Sequence, residues 1–597
     1  MESFQMQSFP QYEIKILNYE KVILANQGDN LAQKILEAGI NLRVDCQRKG
    51  LCGKCLVEII KGKLPPLRKK ENLILKEKGL KTDKYRLACL YKIESDIKLN
   101  IPPESIIQEI STLKTGIKSS LTLNSALKKY YLALKKPQIS SPHSGLECLQ
   151  RGLPKKYLIN NLDLVKKLPK ILDKSKFKVT AVIYRDNEIL SLEPGHTLDE
   201  AYGIAIDVGT TTLVASLLNL NNGQILEIAT SANSQMQFGA DVISRISLAV
   251  SNSKNLSSLK KAIITSLNQM ITELIKKTQI KRNYIYEAVI AANTTMNHLL
   301  LGIPVASLAT APFHAVFSKL PPLSNQEAGL NIYKYGKIYF SPNIKSFVGG
   351  DISAGLIASN FGNRPGNYLY LDLGTNGEIV LKTEDKLIAT STAAGPAFEG
   401  MNISCGLPAL PGAIYKASYD SRLVFSTIKN KKPRGVCGTG LIDLIAIFLE
   451  REIISCQGRI KNKAGKIKIT ENIYLTQKDI REIQLAAAAV KTGIKMMLKK
   501  HNIKSKDLDG IFIAGAFGNY LNIKNSLKIG LLPEIDEKKI TFIGNAALAG
   551  AQALLLSLPA REKIESLADK IEYLSLASQA KFQDDFVNSL EFKKWSI

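Results

Sequence analysis

The sequence predicts an α/β chain of several domains: a small β-rich domain first, a small α+β unit in the middle, and a large duplicated α/β fold to the C-terminus. Three observations carry this. A turn of the form Asp-x-Gly-Thr, each time preceded by an apolar run, occurs at Asp207-Val208-Gly209-Thr210-Thr211-Thr212 and again at Asp372-Leu373-Gly374-Thr375-Asn376-Gly377. A cysteine loop, CQRKGLCGKC, holds Cys46, Cys52 and Cys55, and Cys89 arrives 34 residues after Cys55. A length of 597 residues, with 45% hydrophobic and 22% charged content, suffices for several ordinary globular cores.

The two turns predict phosphate-binding hairpins. Residues 203–206 and 213–218 are apolar runs on either side of the first turn, so strand, tight turn and strand is the expected order. Gly209 lets backbone N–H groups approach a phosphate closely, and the hydroxyls of Thr210, Thr211 and Thr212 are further donors. Asp207 is an oxygen ligand suited to Mg²⁺ or its waters. The second copy repeats the arrangement with Asp372, Gly374, Thr375 and Asn376. One such hairpin taken alone reads as a structural β-turn; two copies about 165 residues apart, each after a buried-strand run, form the pattern of a duplicated fold. A third stretch, residues 511–514, is a strand that ends in Gly515-Ala516-Phe517-Gly518, small residues on which an adenosine could lie flat.

Together these three stretches resemble the phosphate-1, phosphate-2 and adenosine motifs of the actin, hexokinase and heat-shock-chaperone ATPase superfamily, over about residues 201–557. The resemblance implies an RNase H-like, two-lobe, actin-like ATPase domain at 201–597 that binds ATP and Mg²⁺. Further glycine-rich turns have two readings each. Gly349-Gly350-Asp351 places a carboxylate at a helix start, where it either serves catalysis at the nucleotide or caps the helix. Gly395 lies in AGPAFEG, and GVCGTG follows at 435–440; phosphate or adenosine contact competes there with tight packing. His298, in ANTTMNH, is expected to be a satisfied structural histidine.

At the N-terminus, residues 12–25 alternate in two short runs around Asn18-Tyr19-Glu20, which predicts a β-hairpin. A short helix is expected over 29–38, with Asp29 as its N-cap and Gly39 beyond its end. Hairpin, helix, cysteine loop, strand and a remote fourth cysteine describe a β-grasp ferredoxin domain at 1–103. Three readings of Cys46, Cys52, Cys55 and Cys89 compete. A disulfide does not suit a reducing compartment. A zinc site asks for paired CxxC knuckles, and only Cys52 and Cys55 form one. Plant-type 2Fe–2S ligation asks for three clustered thiolates and one remote, which the spacing favours, with one extra residue between Cys46 and Cys52. A polar linker is expected at 104–128 and a small α+β middle domain at 129–200, with helices near 144–151 and 160–172 and a hairpin turning at Arg185-Asp186-Asn187. Cys148, Cys405 and Cys437 are isolated and expected to be buried thiols.

The net charge of +27 does not by itself point to nucleic acid. It is mostly lysine, spread along the chain without interleaved aromatics; the stretch 110–180 is locally dense, with 15 Lys/Arg against 3 Asp/Glu. A basic face for an acidic protein is the better reading. No run of 18 uncharged apolar residues predicts a membrane span, and MESFQMQSFPQYEIKIL lacks the charge and apolar pattern of a secretory signal, so a cytoplasmic protein is expected.

The combination of an iron–sulfur domain, a small unit and an actin-like ATPase is similar to the reductive activators of corrinoid proteins. The likeness runs nearly end to end through CQRKGLCGKC, LEPGHTLDEAYGIAIDVGTTT, FGADVISRI, ANTTMNHLLLG, YLDLGTNGEI, AAGPAFEG, IAGAFGNYL and IGNAALAGA. One departure is visible: the family pattern carries Lys after Gln-Leu-Ala in the helix before the adenosine turn, and this chain has Gln484-Leu485-Ala486-Ala487. The resemblance implies ATP-dependent transfer of one electron from a 2Fe–2S cluster to a corrinoid methyl-carrier protein, turning inactive Co(II) into Co(I). It further implies a low-potential electron donor and a homodimer formed through 129–200. Two other functions keep the architecture: an ATP-driven electron activator of a dehydratase or reductase, and a redox-sensing, chaperone-like ATPase.

Overall fold

The computed structural model describes residues 10–40, 42–44, 48, 50–102, 105–106, 122–515 and 520–595. The chain divides into two compact units: Met1–Ile110 with Thr210–Thr212 and Ser231–Ile263, and Ser111–Gly209 with Leu213–Thr230 and Ile264–Ile597. Among the described residues no helix is long and apolar enough to cross a membrane.

The first unit contains the expected hairpin. β1 (Gln11–Ile16) and β2 (Lys21–Asn26) are antiparallel and joined by a single 3₁₀ turn, which Glu20 ends in the left-handed region at φ 49°. β3 (Leu56–Lys61), β4 (Tyr85–Leu87) and β5 (Ile97–Asn100) complete a five-stranded sheet of order β2-β1-β5-β3-β4, with β1 parallel to β5. Helix α1 (Leu31–Glu37) buries Leu31, Ala32 and Ile35 in the core of this sheet. Its N-cap is Asn30, whose Oδ1 accepts from the Gln33 N–H at 3.2 Å, and not Asp29. Asp29 is already committed one residue earlier: its Oδ2 accepts from the Asn26 N–H at 2.8 Å and closes the turn out of β2. Helix α2 (Lys69–Glu77) is anchored by Glu71, which is fully buried and accepts from Arg86 Nε at 3.0 Å, Arg86 Nη2 at 3.1 Å and the Leu87 N–H at 2.8 Å.

In the second unit, β6 (Leu127–Ala133), β7 (Lys178–Tyr184) and β8 (Glu188–Pro194) form an antiparallel sheet of order β6-β7-β8. The β7–β8 turn has Arg185 and Asp186 both at positive φ, 49° and 51°, as a tight primed turn requires. Helix α3 (Gly145–Gly152), with a Ser144–Glu147 capping box, and α4 (Leu162–Lys174), capped by Asn161, bury Leu149, Leu164, Leu168 and Leu172 against this sheet. Cys148 is buried on α3.

Two larger sheets follow, and they repeat one plan. In the first, β9 (Tyr202–Val208), β10 (Thr212–Asn219), β11 (Ile225–Ala232), β12 (Ile285–Ala292), β13 (Leu323–Ser324) and β14 (Lys337–Phe340) take the order β11-β10-β9-β12-β14-β13. In the second, β15 (Tyr368–Leu373), β16 (Gly377–Lys382), β17 (Leu387–Thr392), β18 (Gly510–Ala514), β19 (Ile540–Gly544) and β20 (Glu572–Tyr573) take the order β19-β18-β15-β16-β17-β20. Each is an antiparallel three-strand meander whose first strand, β9 or β15, pairs in parallel with a later strand, β12 or β18. That is the duplication the two Asp-x-Gly-Thr turns predict, and each turn caps the C-terminal end of the first strand of its sheet.

Helices α5 (Gly350–Ala358) and α7 (Ala546–Leu556) lie between the two sheets, while α6 (Gln477–Lys500) covers the second. Ala354 and Ile357 of α5, with Leu548 and Ala551 of α7, belong to the core of the first sheet. Ile352 and Leu356 of α5, with Ala546 of α7, belong to a core on the second. Gly550 makes this crossing possible, because a Cβ there would strike the backbone of Ala354.

A buried ion pair fastens three elements together. Glu287 of β12 accepts from Arg561 Nη1 and Nη2, both at 2.8 Å, and from the Tyr184 hydroxyl of β7 at 2.7 Å. Arg561 lies on helix α8 (Leu558–Lys570), and both charged side chains are all but fully buried. The small sheet is thereby locked to the first lobe of the larger fold. Removing one partner of such a pair costs about 3–5 kcal/mol, because the other charge is left buried and unpaired. R561M is therefore expected to lower the denaturation midpoint sharply, and R561M/E287M to recover part of the loss; a double variant that loses the sum of the two single effects would contradict the pairing.

Candidate functional site

Four carboxyl groups gather where the two duplicated sheets end. Asp207 is next to last in β9, Asp372 lies near the end of β15, Asp351 is in the first turn of α5, and Glu378 is second in β16, opposite Asp372. The three aspartates keep part of their surface exposed, but their carboxyls are surrounded by protein; Glu378 is buried. Desolvation pushes Asp372 up to about 7, and the charges of Asp351, Asp207 and Glu399 add to the rise. Asp207 is likewise raised to about 7, first by desolvation, with an opposing hydrogen bond from Asn545 and a further push from Asp351. Asp351 is raised to about 6 by desolvation, against its hydrogen bond from the Ile352 N–H at 2.8 Å. Desolvation, Asp351 and Asp372 hold Glu378 well above the usual carboxylate range. Burial and mutual charge thus oppose the ionisation of all four together.

Asp351 does not cap its helix. The N-cap is Gly349, and Asp351 stands two residues later. The preceding glycines are packing residues: a Cβ on Gly349 would strike Asn293, and one on Gly350 would strike the Ser341 carbonyl. Asn545 is the residue that sequence reasoning left without a role. Its Nδ2 donates to Asp207 Oδ2 at 2.9 Å, and its Oδ1 accepts from the Leu548 N–H at 2.8 Å, so it caps α7 and holds the first-turn carboxylate at once.

The second turn is compact. The Gly374 N–H donates to the Asn376 carbonyl at 3.0 Å, and the Thr375 hydroxyl donates to Glu399 Oε1 at 2.6 Å. Gly374 has room on its Cα side, the nearest atom to an added Cβ being Glu399 Oε1 at 3.5 Å. Gly395 has φ 75° and would meet nothing within 4 Å, so packing does not explain this glycine. Gly435 and Gly440 differ, since an added Cβ would strike the Cys405 and Ile414 carbonyls; packing alone accounts for them. Gly515 starts the third stretch at φ 85°, with Asp372 Oδ1 3.0 Å from its would-be Cβ, because Ala514 and Asp372 are register partners across β18 and β15. Ala516, Phe517 and Gly518 lie outside the described residues. In the other unit, Arg245 is fully buried and holds the first turn's threonines in place, donating through Nη2 to the Thr210 carbonyl at 2.6 Å and through Nε to the Gly239 carbonyl at 2.9 Å. The Asn233 N–H donates to the Thr211 carbonyl at 2.8 Å. Thr212 begins β10.

The cysteine site is built by the ferredoxin-like sheet. Leu56 of β3 pairs with Leu87 of β4, and the Ala88 N–H donates to the Cys55 carbonyl at 2.9 Å, which brings the remote Cys89 to the loop. Cys55 and Cys89 are buried and Cys52 is half-buried. The hydrogen bond with Cys89, then burial and the charges of Cys89 and Cys52, push the Cys55 thiol well up. Cys46 lies outside the described residues. Gly50 and Gly53 are both left-handed, at φ 68° and 61°, and an added Cβ would come within 2.7 Å of Leu90 and 2.6 Å of Ile74. The loop path therefore demands glycine at both positions. Soft sulfur donors packed around a glycine-shaped loop fit an iron–sulfur cluster. The carboxylates fit Mg²⁺, which takes one or two carboxylates beside waters and phosphates; among the described residues no three His, Cys, Asp or Glu converge on a single ion.

His298 is structural, as expected. Its Nε2 accepts from the Val316 N–H at 3.0 Å, so the proton sits on Nδ1 and goes to the Thr294 carbonyl at 2.7 Å. Cys437 is buried and Cys405 half-buried.

Fold and site together define an iron–sulfur protein fused to an actin/hexokinase-type ATPase. Family models match most of the chain: a 2Fe–2S iron–sulfur cluster binding domain at 14–94, the RACo linker region at 116–199, the RACo middle region at 202–364 and the C-terminal ASKHA domain of RACo at 366–597. The corrinoid activation enzyme RamQ of Eubacterium limosum is 31% identical over 96% of this chain and 98% of its own. A [Co(II) methylated amine-specific corrinoid protein] reductase of Methanosarcina barkeri is 26% identical over 66% of this chain and 77% of its own. A solved reductive activator for corrinoid, iron–sulfur protein is 32% identical, covers 97% of this chain and 98% of its own, and superposes with a TM-score of 0.73. The chain belongs to the RACo family of reductive activators of corrinoid proteins, and it is an ATP-dependent iron–sulfur reductive activase.

Burial holds His298 below its ordinary 6.5. A group depressed in the folded state contributes stability above its unfolded value and loses it as pH falls through the folded one. The melting temperature is thus expected to decline below about pH 6.5, and H298Q, which accepts the Val316 N–H without ionising, should decline less over the same range. Equal declines would remove His298 from the acid response.

Proposed function

We propose that this protein carries out one catalytic cycle: a single electron from a 2Fe–2S cluster reduces the inactive Co(II) of a corrinoid methyl-carrier protein to Co(I), and ATP is hydrolysed to ADP and phosphate. The cluster returns to its oxidised state and is refilled by a low-potential donor. The observation that carries this reading is one chain of this family holding both a glycine-shaped cysteine loop and a gathering of carboxylates between duplicated phosphate turns.

Cys46, Cys52, Cys55 and Cys89 are assigned to the cluster. Asp207 and Asp372 are assigned to Mg²⁺ or its waters, and Asp351 to orienting the water that attacks ATP, which the desolvation of its carboxyl suits. Gly209, Thr210, Thr211, Thr212, Gly374, Thr375, Asn376 and Gly395 receive phosphates, and Gly515, Ala516, Phe517 and Gly518 the adenosine. For Thr375 this means exchanging the Glu399 partner for a phosphate oxygen. A plant-type cluster sits near roughly −400 mV, and the cobalt couple lies lower, so the transfer is uphill and ATP drives it only through states it binds unequally. The two lobes share α5 and α7, so a closing motion passes through the Ala354–Gly550 contact. The closed form grips the corrinoid partner and hydrolysis releases it. These tasks are assigned to domains at 1–103, 129–200 and 201–597, with a linker at 104–128, and the open edge of β6 suits self-association through the domain at 129–200. A low-potential cluster and a Co(I) product suit the reducing conditions of the cytoplasm.

Two variants test the assignment. C52S should lose the visible spectrum and about two Fe per chain while keeping ATP hydrolysis. D372A should keep the spectrum and lose hydrolysis by about 10²-fold or more. Both should fail to form Co(I) from a Co(II) corrinoid protein. Full Co(I) formation by either one sinks the reading.

A further inference from the structure

The ferredoxin-like domain carries a surface that neither its cluster loop nor its core explains. From Arg48 to Arg86 the chain has thirteen Lys/Arg and four Asp/Glu. Two of those acids are already engaged: Glu71 is buried against Arg86, and Glu58 pairs with Lys84 at 3.7 Å. The excess collects on α2. Lys69, Leu73 and Lys76 stand at helical spacing on its outer face beside Lys70, and all four are exposed. Among the described residues none of the three lysines makes an ion pair. Leu73 is 62% exposed, an unusual place for leucine on a helix that buries Glu71 and Leu75 on its other side.

The helix that carries this face adjoins the cluster loop through a neighbouring side. Ile74 and Lys78 lie directly on Gly53, between Cys52 and Cys55, where they leave no room for a Cβ. On the loop itself Leu51, next to Cys52, is 58% exposed, and Cys52 is half-buried, in contrast to the buried Cys55 and Cys89. Two exposed leucines, one on the loop next to the half-buried Cys52 and one on the helix that touches the loop, are thus set among lysines.

We propose that the outer face of α2, Lys69, Lys70, Leu73 and Lys76, together with Leu51 of the cysteine loop, is the docking surface for an acidic electron-carrier protein that refills the cluster. This rests on the reading of the protein as one that accepts electrons from a protein donor. Charge complementarity chooses the occupant: a lysine face steers a negatively charged partner and repels a basic one. The dimensions suit a short-lived redox encounter, in which a small contact around one or two apolar side chains forms and parts quickly. The approach is short, since the helix touches the loop that carries Cys52 and Cys55.

The test needs neither ATP nor a corrinoid protein, so its outcome is separable from that of the proposed function. The full chain with its cluster oxidised is mixed by stopped flow with a pre-reduced acidic bacterial ferredoxin, and bleaching of the cluster absorbance is followed. K69E/K70E/K76E should slow the second-order rate about tenfold or more at low salt, with the difference closing at an ionic strength of about 0.5 M. L73S should slow it at every salt concentration. Reduced methyl viologen, a small cation, should bleach all variants at least as fast as the parent protein, which shows that fold and cluster are intact. The proposal is overturned if the triple variant accepts electrons from the ferredoxin at the parent rate at low salt. It is equally overturned if that rate holds while Co(I) formation by viologen-reduced protein falls, because the face would then belong to the corrinoid acceptor.

Discussion

The site is defined by the crowding of four desolvated carboxyls, Asp207, Asp351, Asp372 and Glu378. Each is desolvated, and Asp351 presses on the other three, so the group cannot be fully charged without a counter-ion. Nothing in a folded core would retain such a cluster for stability, since buried like charges only cost free energy. The architecture is arranged to hold it. Two copies of one sheet plan end at the same place, a helix begins beside each, and Asn545 ties the start of α7 to Asp207 across 338 residues of chain. The same helices are shared by the cores of both lobes.

A second constraint works at the cysteine loop, and it is steric. The loop can follow its path only because Gly50 and Gly53 are left-handed and side-chain-free, with Leu90 and Ile74 closing over them. The β3–β4 pairing delivers Cys89 from outside the loop. The two constraints belong to different parts of the chain and use different chemistry: soft sulfur donors at one and hard carboxylate oxygens at the other. That division is what an ATP-driven electron transfer requires, since the energy source and the electron store must not share ligands.

Much of this was legible in the sequence, where the chemistry is local. A tight turn needs its glycine and its aspartate within a few residues, so both Asp-x-Gly-Thr turns and the cysteine loop could be read directly, and the middle hairpin turned where Arg185-Asp186-Asn187 predicted. What could not be read is pairing over long separations. Glu287, Arg561 and Tyr184 meet from three distant segments, and nothing in the neighbourhood of any one announces the others. Asn545 was visible as part of a glycine-containing stretch, but its partner was not. The cap of α1 moved from Asp29 to Asn30 because a competing turn claimed Asp29 first, a choice between two local bonds that propensity alone does not make. Gly395 and Gly440 looked alike in sequence and separate only once space around each is known.

The central claim is that hydrolysis powers an electron transfer that would not otherwise proceed. The most direct measurement is the Co(I) absorbance of a Co(II) corrinoid protein mixed anaerobically with the cluster-reduced full chain, with MgATP or with MgADP. The account predicts a Co(I) band with MgATP and none with MgADP, with hydrolysis stimulated by the Co(II) partner because a ligand that favours the closed state is favoured by it in turn. Co(I) appearing to the same extent with MgADP would contradict it, since the transfer would then run downhill and the carboxylate cluster would have some other work.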